Sequence, residues 1–174
     1  MRQAEQHGTD KLGRRMGVLA TLAFLALGWT VFDDLIGRRD DPNRNLAVSA
    51  DSREWRLQRN RAGHYLAPGT INGQPVRFLL DTGATHTSIP AALAGELGLQ
   101  PGAAGLVSTA NGTVEVFSTR IRELELGPFR FRNVPAQLNP GMGERDILLG
   151  MSVLKTLEFT QRGDTLILRP AWMD

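Results

Sequence analysis

Beyond residue 53, apolar and polar positions alternate over short runs that end at turn formers, the pattern of strands with one face buried and one face wet. Trp55 and Leu57 alternate with Arg56 and Gln58, which predicts a half-buried edge strand. His64 to Ile71 and Gln74 to Leu80 flank Asn72-Gly73, and Val107 to Thr109 and Thr113 to Phe117 flank Asn111-Gly112. Both Asn-Gly pairs tolerate the positive φ of a tight turn and so predict hairpins. Pro90 predicts the start of a short helical stretch that runs through Leu97 and is closed by Gly98. Phe129-Arg130-Phe131-Arg132 alternates again, and Leu157 to Gln161 and Thr165 to Leu168 flank Gly163-Asp164. Many short strands with so little helix predict an all-β domain, a small closed barrel with one or two short helices.

The pattern before residue 53 is different. Residues 16–32 carry no charge, follow Arg14-Arg15 and precede Asp33-Asp34. A helix of that length is about 25 Å long, at the short end for a bilayer core of about 30 Å. A transmembrane anchor over 16–32 is expected, with residues 1–15 cytoplasmic because the basic side stays inside. In a Gram-negative cell this places the chain in the inner membrane with its folded domain in the periplasm. A cleaved signal peptide is the alternative, with Ala26 and Gly28 as a small-residue cleavage pattern, although Trp29, Val31 and Phe32 prolong the apolar run past it. Residues 33–52, polar and broken at Pro42, are expected to be a linker, and 53–174 the folded domain.

Composition narrows the chemistry. The 174 residues hold 20 Lys and Arg against 18 Asp and Glu, and the basic excess is confined to Arg2, Lys11, Arg14 and Arg15 near the start. The remainder is balanced, which argues against nucleic-acid binding, and the cluster Arg53, Arg56, Arg59 and Arg61 reads as a solvated face. With no cysteine, disulfides and thiolate metal sites are excluded. His7, His64 and His86 have no metal-ligand spacing, and no metal or organic cofactor is expected.

Four apolar residues, Val76, Phe78, Leu79 and Leu80, run into Asp81-Thr82-Gly83. A carboxylate at the end of a buried strand, where glycine lets the chain turn sharply, is placed to work as an acid or base in a cleft. Downstream, Asp146-Ile147-Leu148-Leu149-Gly150 supplies a second apolar run ending in glycine. In this order the two motifs resemble those of the retropepsin-like, single-domain aspartic proteases, and most closely their bacterial membrane-anchored branch. The resemblance covers roughly Gly63 to Pro170. Thr85 stands where a second Asp is frequent, and Met151 where Arg or Asn is frequent, departures that argue against a retroviral origin but leave the catalytic loop intact.

The resemblance implies an aspartic endopeptidase acting on protein or peptide substrates, with Asp81 catalytic and Thr82 and Gly83 supporting its loop. It implies a flap at Ala110, Asn111 and Gly112 that folds over substrate, and an apolar strand at 147–149 beside the catalytic loop followed by a short helix. Asp81-Thr82-Gly83 is the single Asp-Thr/Ser-Gly in the sequence. A second carboxylate therefore has to come from a second copy, and a homodimer with one site on its axis is expected. A non-catalytic peptide-binding or dimerisation module on the same fold is the rival reading.

Overall fold

The computed structural model describes residues 16–29, 37, 39–46, 54–109, 112–143 and 145–171. The chain divides into two compact units, Met1–Arg39 and Asp40–Asp174. In the first, residues 16–29 form helix α1, whose apolar side chains, Phe24 and Trp29 among them, are exposed. Among the described residues no helix is long and apolar enough to cross a membrane. The span expected over 16–32 is thus helical over 16–29, and residues 30–32 lie outside the described residues.

The second unit contains two sheets. The larger runs in the order β2 (Leu66–Ile71), β3 (Gln74–Leu80), β8 (Ile147–Leu149), β4 (Thr87–Pro90), β7 (Phe129–Asn139), β6 (Gly112–Leu126), β5 (Ala104–Thr109). A further pairing of β2 with β6, Gly69 opposite Leu126, closes the first six of these strands into a barrel. Gly69 permits that closure: a Cβ there would lie 2.2 Å from the Glu125 carbonyl oxygen and 2.6 Å from the Phe78 ring. β5 remains outside the barrel as the free arm of a hairpin with β6. Buried Phe78, Ile89, Ile121, Leu124, Ile147 and Leu149 fill the interior.

The smaller sheet, β1 (Trp55–Gln58), β10 (Thr165–Pro170) and β9 (Leu157–Arg162), is antiparallel throughout. Its β1–β10 side is clamped by Glu54, whose carboxylate accepts from Arg169 at 2.8 Å and from Arg56 at 2.8 Å. These bonds, Arg169's first, hold the Glu54 carboxyl below its ordinary range. Arg59 pairs with Asp164, so Arg56 and Arg59 of that stretch brace the fold, while Arg53 lies outside the described residues.

The all-β expectation and the Asn72-Gly73 hairpin hold, with φ +51° and +82° at its two turn residues. Two local expectations change. Pro90 opens a 3₁₀ turn at Ala91–Leu93 followed by further turns in place of a helix reaching Leu97, with Gly95 a poor helix former inside the stretch and Gly98 (φ +63°) ending it as expected. The polar stretch expected as a linker through residue 52 belongs to the folded unit from Asp40 to Leu46. Asn43 is the reason: its side chain, 1% exposed, donates to the carbonyls of Gln58 and Leu66 at 2.8 Å each and accepts from the Gln58 N–H at 2.8 Å. An asparagine supplying both donor and acceptor to backbone groups is buried without cost to its own polar atoms.

Candidate active site

β3 carries Phe78 into the core and ends at Leu80, which makes Asp81 the first residue past the sheet. The loop base is fixed from both sides. Leu80 N–H donates to the Tyr65 carbonyl at 3.0 Å, and Asp81 N–H to the Leu149 carbonyl at 3.1 Å. The chain then folds back on the carboxylate: Gly83 N–H donates to Asp81 Oδ1 at 2.8 Å, and Ala84 N–H to the Asp81 carbonyl at 3.3 Å. This side-chain-to-backbone turn positions the carboxyl group through one oxygen. Among the described residues Oδ2 has no partner, and Asp81 is half-buried. Thr82 and Gly83 are exposed, and a Cβ on Gly83 would stand 3.2 Å from Oδ1, so glycine keeps that oxygen uncrowded.

The far side of the loop is held by the strand and helix that follow it in space. β8 lies parallel to β3, Leu149 opposite Leu80, and leads through Gly150 into helix α2 (Met151–Leu154). Met151 N–H donates to the Ala84 carbonyl at 2.8 Å and Ser152 N–H to the Thr85 carbonyl at 3.0 Å. Ser152 Oγ accepts from Thr87 N–H at 3.1 Å and lies 3.2 Å from the buried Thr87 hydroxyl. A Cβ on Gly150 would come within 2.5 Å of the His86 carbonyl oxygen and 2.6 Å of that of Ala84. The glycine of the second motif is thus what allows the helix to seat against the Asp81 loop. Sequence reasoning missed Ser152 and Thr87, since neither hydroxyl belongs to a recognisable spacing.

Of the expected flap, Gly112 (φ +111°) opens β6 and its carbonyl accepts from the Thr109 hydroxyl at 2.8 Å, while Ala110 and Asn111 lie outside the described residues. The hairpin forms part of the wall of a groove of about 1090 Å³. Thr85 and His86 of the catalytic loop form one part of its lining, and Ala104 to Val107 of β5 another; Asp81 and Gly112 are not in the lining. The loop at 100–103 is stapled to β6 by Gly102 N–H donating to the Ser118 carbonyl at 2.7 Å and the Thr119 hydroxyl donating to the Gln100 carbonyl at 2.8 Å. No cluster of His, Asp and Glu among the described residues is arranged to hold a metal ion.

A small closed barrel presenting one Asp-Thr-Gly loop, underpinned by an apolar strand, a glycine and a short helix, defines a retropepsin-like aspartic protease. Residues 67–156 match the model of the family described as gag-polyprotein putative aspartyl protease, and the chain belongs to that family. The crystal structure of a retropepsin-like aspartic protease from Rickettsia conorii superposes with a TM-score of 0.56 at 26% identity, over 67% of this chain and 89% of that one. An uncharacterized protein in the cobV 5′ region of a Sinorhizobium species is 36% identical over 129 residues, 71% of this chain. The matched stretch spans 55% of that relative's length.

Proposed function

We propose that the chain is an aspartic endopeptidase that works as a homodimer, with one Asp81 from each subunit forming the catalytic pair. The observation that carries this reading is the braced loop: Asp81 Oδ1 is fixed by Gly83 N–H at 2.8 Å while Oδ2 is left without a partner among the described residues. A carboxylate positioned through one oxygen is prepared to use the other on water or substrate. Two such carboxylates at close range share a single proton, since like charges in a partly desolvated cleft repel. The ionised member takes a proton from the water between them as that water attacks the scissile carbonyl carbon. The protonated member donates to the carbonyl oxygen, giving a neutral tetrahedral diol that collapses with proton transfer to the leaving nitrogen. No covalent enzyme intermediate forms. Exposed Thr82 is placed in this reading to link the paired loops, and the β5–β6 hairpin to close over an extended substrate.

Asp81→Asn keeps the size of the side chain and its bond from Gly83 N–H, so the variant is expected to fold and to lose at least about 10³-fold in peptide cleavage. Mass-spectrometric mapping of products from a peptide mixture, wild type against variant, is the test. Equal product yields from both proteins would refute the role of Asp81, and absence of products from both would favour the binding-module reading.

A further inference from the structure

The groove beside the catalytic loop has an uneven charge. Arg120 and Arg122 both line it, and no aspartate or glutamate is among the described residues that do. Several arginines elsewhere in the folded unit find carboxylates: Arg56 and Arg169 reach Glu54, Arg77 reaches Asp146, Arg130 reaches Glu125 and Arg145 reaches Glu96. Neither Arg120 nor Arg122 meets a carboxylate among the described residues. Arg120 Nη1 donates to the carbonyl of Asn133 at 2.8 Å, which positions its guanidinium and leaves its other N–H groups uncommitted. Asn133 lies in β7 opposite this part of β6, and its φ of +54° bends the strand there. The remaining polar lining, including Gln100, Gln137 and His86, is uncharged or basic. The groove is also built: the staples from Gly102 to Ser118 and from Thr119 to Gln100 hold its wall.

We infer that this groove selects substrates bearing an acidic side chain, an aspartate or glutamate that the uncommitted guanidinium groups of Arg120 and Arg122 receive. Guanidinium and carboxylate match in geometry, and because Arg120 and Arg122 are both exposed the pairing stays open to solvent and sensitive to salt. β5 is the end strand of its sheet, so its outer backbone edge is open to an extended peptide lying along the groove. Thr85 and His86 line the groove and follow Asp81 in the same loop, so a peptide lying there runs towards the catalytic carboxylate. The inference rests on the endopeptidase reading, and it names the substrate class of that site.

The test uses the full chain carrying Asp81→Asn, which separates binding from turnover. A fluorescently labelled host peptide free of charge is made as a set with glutamate, glutamine or lysine placed at each position in turn, and dissociation constants are measured by anisotropy. At one or two positions glutamate is expected to tighten binding about tenfold over glutamine, equivalent to about 1.4 kcal/mol. Added salt should shrink that ratio. In the Arg120→Glu/Arg122→Glu form the preference should invert towards lysine, an outcome that a general loss of packing would not produce. Equal affinity for glutamate and glutamine at every position, or no peptide binding at all, overturns the inference, as does a glutamate preference that survives charge reversal. If acidic peptides bind preferentially yet protein with Asp81 intact never cleaves them, the endopeptidase reading fails while the selection by the groove stands.

Discussion

At the residue scale, the Asp81 loop treats the two oxygens of one carboxylate differently, bonding Oδ1 to Gly83 N–H, while two glycines keep neighbours away. The position of Asp81 just past a strand was legible in the sequence because an apolar run into Asp-Thr-Gly marks a strand that ends in a turn. The loop's support was legible only in part. Gly150 ends an apolar run, but the hydroxyls of Ser152 and Thr87, distant in sequence, meet only through the antiparallel seating of β8 beside β4. No local pattern encodes a contact of that kind. The importance of Gly150 can be checked directly. A methyl group there would stand 2.5–2.6 Å from two carbonyl oxygens that belong to the loop after Asp81, and neither is the end of a flexible side chain. Gly150→Ala is therefore expected to destabilise the domain by about 2–3 kcal/mol in urea unfolding, the cost of overpacking a rigid site. Peptide cleavage should fall further than the folded fraction does, because relief of the clash moves Ala84 and His86. A stability change below about 0.5 kcal/mol would contradict the close seating of helix and loop.

At the scale of elements, strands and hairpin turns were readable from alternation and from Asn-Gly or Gly-Asp pairs, whereas what ties the elements together was not. The stretch 40–46 looks like a linker by composition, being polar and broken by Pro42. It is fastened to the barrel by Asn43, which bonds the backbone of Gln58 and Leu66, and by Asp41, which lies 3.5 Å from Arg77. Composition misleads here because one buried asparagine outweighs several exposed charges when all its polar atoms are matched. Asn43→Ala leaves the buried Leu66 carbonyl and the part-buried N–H and carbonyl of Gln58 without that partner, so it should cost about 2 kcal/mol of stability by urea unfolding of the full chain. Asn43→Asp, which retains the acceptor but loses the two donor bonds, should cost a comparable amount. If both variants unfold at the wild-type midpoint, the strap contributes nothing and 40–46 behaves as the linker its composition suggests.

At the scale of the whole molecule, the decisive fact is arithmetical: one Asp-Thr-Gly per chain, in a family whose chemistry is built on carboxylates. The barrel presents a half-buried Asp81 on a loop whose Thr82 and Gly83 are exposed, and in the proposed dimer this loop meets its own copy about a two-fold axis. The proposed dimer makes a quantitative prediction that a monomeric enzyme cannot share. When wild-type chains and Asp81→Asn chains are mixed in equal amounts at fixed wild-type concentration, unfolded together and refolded, random pairing makes half of all dimers mixed and only a quarter wholly wild type. Mixed dimers hold one aspartate, so with all chains paired the activity should be about half that of the same wild-type protein refolded alone, and a tenfold excess of variant should leave about one-eleventh of it. A monomeric enzyme would retain its full activity in every mixture, because the added variant neither removes nor completes a site. The same pairing makes specific activity fall on dilution below the dimer dissociation constant. Constant specific activity on dilution, together with no inhibition by the variant, would assign all the chemistry to a single Asp81 and remove the two-carboxylate mechanism.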